Sequence, residues 1–113
     1  GTGTQTIAHG LTITPRMVVI QAMTSSTGGN NEFNRSDGSC SLTTDETCTW
    51  FYDTSAGADV AGQTSGSIIL IHSDVGAIVH EASISALDAT NITLNWGTAI
   101  GGFTTYFQWQ AFA

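Results

Sequence analysis

Apolar and polar residues alternate along the second half of the chain, with the period of two that a β-strand with one buried face requires. The alternation is continuous in residues 77–86, 91–96 and 103–111. It places the following residues on the buried faces: Ile78, His80, Ala82, Ile84, Ala86, Ile92, Leu94, Trp96, Phe103, Thr105, Phe107, Trp109 and Ala111. We therefore expect three amphipathic strands here.

Four further strands are predicted from β-branched and aromatic content, at residues 2–8, 17–24, 47–52 and 67–72. Pro15 introduces the second of them, where a missing N–H suits a strand start. Asp74 and Gly76 predict a hairpin turn after the fourth. No segment repeats apolar residues at helical spacing over three turns.

Two segments rich in turn-forming residues separate these strands, at about residues 25–39 and 53–66. The first contains Gly28, Gly29, Asn30, Asn31, Asn34, Asp37 and Gly38. We expect both to be long loops without a strand of their own. The prediction is a single all-β domain over residues 1–113, an antiparallel β-sandwich or small jelly roll of about seven to eight strands.

The charge balance excludes several classes of partner. Arg16 and Arg35 are the only Lys or Arg residues, and the net charge is −7. Nucleic-acid binding needs clustered Lys and Arg to replace phosphate counterions, so DNA, RNA and anionic membrane surfaces are poor partners. The longest apolar run, residues 68–71, is far shorter than the roughly 20 residues of a membrane span, so we expect no membrane insertion.

Cys40 and Cys48 flank a segment that can fold back as a hairpin, and we expect a disulfide between them. Such a bond would indicate a protein that lives outside the reducing cytosol. The alternative is two free thiols. A zinc site is not expected, because two cysteines and three dispersed histidines lack the usual spacing of four ligands.

No catalytic constellation stands out, and we expect neither an enzyme nor a cofactor. His72 and His80 flank the predicted hairpin, but Glu81 points away from His80 on a strand, so we interpret these histidines as structural rather than as metal ligands. There is no G-x-S-x-G nucleophile elbow and no phosphate-binding glycine loop. Most acidic residues fall in predicted turns, which disfavours a paired-carboxylate glycosidase.

Two surfaces are candidates for binding. Aromatic rings beside Asn- and Asp-rich loops suit a sugar, so the candidate ligand site comprises Asn30, Asn31, Asn34, Asp37, Trp50 and Tyr52. The alternative for Trp50 and Tyr52 is a place in the core. Tyr106 and Phe112 lie on the otherwise polar face of the last strand, which makes them candidates for a subunit interface, with coverage by the chain's own loops as the alternative.

The two ends of the chain resemble β-sandwich surface proteins of tailed phages and tailed archaeal viruses. The resemblance rests on GTGTQTIAHGL at residues 1–11, TPRMVVI at 14–20, ITLNW at 92–96 and YFQWQA at 106–111. These segments are patterns of strands and turns, cover about a third of the chain and carry no functional residue over. The resemblance implies a virion-surface protein, either a capsid decoration protein, commonly a trimer, or a tail or head-spike adhesin.

The first hypothesis is thus a non-enzymatic capsid decoration protein on the virion surface, a homo-oligomer and most plausibly a trimer, with capsid proteins as partners. A second is a carbohydrate- or receptor-binding adhesin module that contacts a cell-surface glycan. A third is an extracellular filament subunit, in which an exposed edge strand accepts a neighbour's strand and residues 1–6 serve as the donated segment.

Overall fold

Nine strands form two antiparallel sheets in the part of the chain that the structure, a computed structural model, describes, namely residues 1–25, 33–54 and 56–113. They are β1 (Gly3–Ala8), β2 (Met17–Ser25), β3 (Phe33–Cys40), β4 (Thr47–Asp53), β5 (Asp59–Ser65), β6 (Ile69–His72), β7 (Ile78–Leu87), β8 (Asn91–Ala99) and β9 (Thr104–Phe112). The all-β sandwich is confirmed. Within the same ranges, no helix is long and apolar enough to cross a membrane.

Each sheet consists of strands that are consecutive in the sequence and one strand that is not: β9, the last strand, in the first sheet and β1, the first strand, in the second. One sheet has the order β5-β4-β3-β2-β9, and the other has the order β1-β8-β7-β6. β1 pairs with β8, and β9 pairs with β2 in a continuous register from Met17 opposite Phe112 to Ser25 opposite Thr104. The two end segments of the chain are therefore built into different sheets.

Both predicted long loops were partly wrong, because β3 and β5 lie within them. β3 consists of the residues FNRSDGSC, which have low intrinsic strand preference, yet it is the central strand of its sheet. Tertiary contacts explain the difference, since β3 needs small polar side chains on its inner face. The two additional strands raise the number above the seven to eight expected.

The inner face of β3 contacts β6, the edge strand of the opposite sheet. All four residues of β6 are buried, so its unpaired edge has no access to water. The backbone N–H of Leu70 donates to Ser36 Oγ at 3.2 Å, and the carbonyl of His72 accepts from Asn34 Nδ2 at 2.6 Å. Side chains of β3 thus replace the missing neighbouring strand.

Gly38 allows this close approach of β3 to β6. A Cβ atom at this position would overlap the backbone carbonyl group of Ile68 and lie 2.9 Å from its Cγ1. The neighbouring inward position, Ser36, is completely buried. Small residues at both positions are therefore required by the distance between the two strands.

The hydrophobic core lies between β2 and β9 on one side and β6, β7 and β8 on the other. Ile20, Ile71 and Leu94 are completely buried within it, and Phe107 and Trp109 of β9 pack against it. Leu94, Phe107 and Trp109 agree with the inward faces that the alternating pattern predicted. Ile78 does not, because it is 40% exposed while its neighbour Val79 is buried. The core packs the two sheets together next to the polar contacts of β3.

The predicted hairpin turn at Asp74 and Gly76 is confirmed. Gly76 has a φ of 78°, its N–H donates to the carbonyl of Ser73 at 3.0 Å, and Ser73 N–H donates to Ala77 at 2.8 Å. The positive φ explains why glycine occupies this position.

We predict that Gly38→Ala destabilises the protein severely. The added methyl group must displace the Ile68 backbone, so the free energy of unfolding should fall by more than about 2 kcal/mol. Gly97→Ala is the matched control, because a Cβ at Gly97 in β8 meets no atom within 4 Å. Denaturant unfolding of both variants measures the difference. Equal stability of Gly38→Ala and wild type would contradict the close packing of β3 on β6.

Candidate functional site

The broadest accessible surface on a regular element is the outer face of the five-stranded sheet, which points away from the core. We call the following side chains of β2, β3, β4, β5 and β9 the outer face: Met17, Val19, Gln21, Met23, Arg35, Asp37, Ser39, Thr47, Thr49, Phe51, Ala61, Gln63, Tyr106, Gln108, Gln110 and Phe112. Because they stand on paired strands, their spacing is set by the backbone.

The strand register arranges the central part of this face in two parallel rows. The first row crosses all five strands and is largely apolar: Ala61, Phe51, Arg35, Met23 and Tyr106. The second row is polar and lies two residues away from the first row on each strand: Gln63, Thr49, Asp37, Gln21 and Gln108. An aromatic and aliphatic strip therefore lies beside a strip of amides, a hydroxyl and a carboxylate.

An ion pair occupies the centre of the two rows. Arg35 and Asp37 are two residues apart on β3, so their side chains share a face, and Arg35 Nη2 lies 3.2 Å from Asp37 Oδ2. The Arg35 guanidinium also lies 5.4 Å from the centre of the Phe51 ring. Both members of the pair are substantially exposed, at 55% and 39%, so the pair neutralises charge locally while remaining accessible.

Two shallow grooves lie on either side of this ion pair. One has a volume of about 400 Å³ and is lined by residues of β2, β3 and β9, including Gln21, Met23, Tyr106 and Gln108. The other has a volume of about 540 Å³ and lies over β3, β4 and β5, between Phe51 and Gln63. Arg35 and Asp37 line both grooves, which makes them neighbouring parts of one surface.

The structure does not bring the predicted ligand site together on one surface. Asn34 is buried, and besides its bond to His72 its Oδ1 accepts from the N–H of Asp53 at 3.3 Å. Asp37 lies on the outer face, whereas Trp50 and Tyr52 project from β4 on the inner side. Asn30 and Asn31 lie outside the described residues.

Trp50 and Tyr52 instead pack around His72. The ring centre of His72 lies 4.2 Å from that of Trp50 and 5.0 Å from that of Tyr52. Trp50 Nε1 donates to Thr64 Oγ1 at 3.0 Å, and a Cβ at Gly62 would lie 2.5 Å from the indole. Burial lowers the pKa of His72, and its Nδ1 has no hydrogen-bond partner. The three rings therefore pack against one another on the inner side of β4.

The expected disulfide is absent, and Cys40 and Cys48 are buried free thiols. The predicted fold-back of the chain is present, but Cys48 pairs with Gly38, and Cys40 lies two residues further along β3. Diagonal neighbours on an antiparallel pair have Cα atoms about 7–8 Å apart, beyond the roughly 4.4–6.8 Å that a disulfide usually spans. The register therefore explains why the pair stays reduced.

The predicted interface residues Tyr106 and Phe112 are both on the outer face of β9, with 60% and 47% of their surface exposed. Each lies opposite an exposed methionine of β2, Tyr106 opposite Met23 and Phe112 opposite Met17. The sequence pattern located these side chains correctly. Whether another subunit contacts them stays a prediction.

The two hairpin histidines do not face each other. His72 pairs with Ile78 and His80 with Ile71, because the register shifts between Ile71 and His72. The His80 ring nitrogen Nδ1 bonds to Thr105 Oγ1 of β9, across the sandwich. Within the described ranges, no group of three or more His, Cys, Asp or Glu side chains is placed to hold a metal ion.

Sequence reasoning missed most of the outer face. Arg35 and the ring of Phe51 were not recognised as neighbours, because Arg35 lies in a segment predicted to be a loop. The available signal in the sequence was the period of two in residues 33–39, where Arg35, Asp37 and Ser39 alternate with Asn, Ser and Gly.

Comparison of the chain with protein-family models, with curated proteins and with solved structures finds no match.

We predict that both thiols react very slowly in the folded protein. Burial, with the negative charges of Asp45 and Glu46 near Cys40 and of Glu81 near Cys48, raises the pKa of each thiol to about 11. The thiolate fraction at pH 8 is then roughly two orders of magnitude below that of a free cysteine. Thiol titration with an aromatic disulfide reagent measures this, without reductant, before and after unfolding.

The expected result is two thiols that react only after denaturation. An unreduced, unfolded sample with no reactive thiol would contradict the register of β3 and β4, because it would show that the two cysteines are oxidised.

Proposed function

We propose that this chain is a non-enzymatic structural protein of a virion surface, which acts as a capsid decoration protein by self-association and by binding to the capsid shell. The observation that carries self-association is strand β9, a long edge strand without the features that normally prevent pairing with another chain. The virion assignment rests on the resemblance of the chain ends to tailed-virus surface proteins.

The four sheet edges differ in how they are protected. β6 is buried beneath β3, and its register is irregular. β1 is short and begins at Gly3, whose φ is 126°. β5 begins with Asp59 and contains Gly62. Short length, irregular geometry and charge are established means of blocking an edge strand.

β9 has none of these protections. Its sequence, TTYFQWQAF, contains no charged residue, no proline and no glycine, and it consists mostly of residues that favour strands. Its pairing with β2 has no register shift over nine residues. In the described part of the chain no strand pairs with its other side. A backbone of this kind is suited to accept a strand or an edge from a second copy.

Exposed apolar side chains lie beside this edge. Tyr106 and Phe112 project from β9, and Met23 and Met17 stand next to them on β2. A neighbouring copy that pairs along β9 would cover part of these four side chains and add apolar burial to the backbone hydrogen bonds. This supports the role of Tyr106 and Phe112 as interface residues.

We propose a trimer in which each copy places its β9 edge against a different surface of the next copy. Such a head-to-tail contact closes into a ring when the rotation between copies fits, and it leaves no β9 edge exposed. Each contact that exists only on the assembled shell would stabilise that shell by mass action. The net charge of −7 keeps separate subunits soluble.

The test is sedimentation velocity of wild type, Gln110→Lys and Gln63→Lys over a range of concentrations. Gln110 lies on the outer face of β9, and Gln63 lies on the outer face of the opposite edge strand, β5, one row away from that of Gln110. We expect wild type to reach three times the chain mass of 11.8 kDa. Gln110→Lys should weaken association at least tenfold, because a lysine beside the edge disfavours strand pairing.

Gln63→Lys should associate like wild type. A wild-type monomer at all concentrations, or equal weakening by both lysines, would overturn self-association through β9. Species that grow without limit would overturn the trimer in favour of a filament. Added to capsids, the trimer should raise their melting temperature, and an unchanged temperature would overturn the decoration role.

A further inference from the structure

The outer face of the five-stranded sheet has features that strand pairing at the β9 edge does not use. Strand pairing at β9 adds a neighbour in the plane of the sheet, so the groove over β3, β4 and β5 stays open after association, as does the part of the first groove over β2 and β3. Their combined surface holds an exposed tyrosine ring and a row of polar side chains on a rigid strand framework. This combination restricts the chemistry of the ligands that can bind the face.

The aromatic component suits the apolar side of a sugar ring. Tyr106 has 60% of its surface exposed, and its cross-strand neighbour Met23 has 46% exposed. The ring lies at the border of the first groove and offers a flat face next to the sheet. Amphipathic rings of this kind bind ligands that have both C–H surfaces and hydroxyl groups.

The polar component suits hydroxyl groups. Side-chain amides carry both donors and acceptors, and so do the hydroxyls of a saccharide. Gln21 and Gln108 are direct cross-strand neighbours in the first groove, and Gln63 pairs with Thr49 in the second. Asp37 lies between the two pairs. Consecutive strands are about 4.8 Å apart, so the row presents hydrogen-bonding groups at a regular spacing close to the length of one sugar ring.

The charge pattern favours a neutral ligand. Arg35 and Asp37, the two charged residues that line the grooves, form an ion pair with each other at 3.2 Å. Arg35 is further held over the Phe51 ring. An anionic ligand would compete with Asp37 for Arg35, and it would meet a chain of net charge −7. Neighbouring hydroxyls can instead bond to both members of the pair without separating them.

We propose that the outer face binds neutral oligosaccharides, with Tyr106 stacking on a sugar ring and with Gln21, Gln108 and the Arg35–Asp37 pair binding its hydroxyls. This site shares Asp37 with the ligand site expected from sequence but does not use Trp50 or Tyr52, which pack around His72 on the inner side of the sheet. The site shares Tyr106 with the proposed β9 interface, so saccharide binding and self-association are measured separately.

The experiment is saturation-transfer NMR of the full chain with neutral hexasaccharides of glucose, mannose, galactose and N-acetylglucosamine. A heparin-derived hexasaccharide is the charged comparator. We expect transfer to at least one neutral oligosaccharide and a stronger signal than for heparin. Titration should shift the backbone amide resonances of Gln21, Asp37 and Gln108.

Variants on one strand test the assignment. Tyr106→Ala should weaken binding roughly tenfold through lost stacking, and Gln108→Ala roughly fivefold through a lost hydrogen bond. Gln110→Ala is the matched control, since Gln110 lies on the same face of β9 but lines neither groove. Its affinity should stay within about twofold of wild type.

Several results would overturn the proposal. They are no transfer to any neutral oligosaccharide at millimolar concentration, a preference for heparin, or equal effects of Gln108→Ala and Gln110→Ala. If the amide resonances of Gln21, Asp37 and Gln108 shift with protein concentration but not with added saccharide, a second copy and not a sugar occupies the outer face. Because sedimentation measures association separately, a failure here is distinguishable from a failure of the β9 interface.

Discussion

The fold depends on how the buried edge of β6 is satisfied. An edge strand exposes backbone donors and acceptors on one side, and burying them without partners costs about 1–3 kcal/mol for each group. In this protein the Leu70 N–H bonds to Ser36 Oγ and the His72 carbonyl to Asn34 Nδ2. The contact between β3 and β6 is therefore partly polar, although it lies within the sandwich and next to the hydrophobic core.

This constraint explains several features that are otherwise unusual for a β-sandwich. The central strand β3 has small polar residues on its inner face, and Gly38 is required because the backbone of Ile68, the residue before β6, lies directly over it. The apolar core residues lie mainly on β2, β6, β7 and β8, with side chains of β9 packed against them. Around the end of β6, Trp50 and Tyr52 cover His72 and exclude water. With aromatic rings used inside, the outer face depends on Tyr106, Phe51 and Met23 for its apolar surface.

The sequence predicted the elements whose stability comes from a regular hydrophobic pattern. β7, β8 and β9 alternate clearly, and the exposure of Tyr106 and Phe112 followed from that alternation. The sequence could not reveal β3, because Asn34, Ser36 and Gly38 are selected by contact with a strand more than thirty residues away. The expected disulfide was wrong for a related reason, since spacing along the chain does not determine the offset of Cys40 and Cys48 across a ladder. Because β3 was not predicted, the sequence could not predict the ion pair of Arg35 and Asp37 beside Phe51. It could not predict the two grooves next to this pair either.

Hydrogen exchange of the Leu70 amide is the most direct measure of whether side chains of β3 replace a strand. The account predicts strong protection in wild type, exchange at least tenfold faster in Ser36→Ala, and a loss of stability of about 1–3 kcal/mol in that variant. Ser39→Ala, on the opposite face of β3, should change neither. A Leu70 amide that exchanges freely in wild type, or equally slowly in Ser36→Ala, would contradict the central role of this contact.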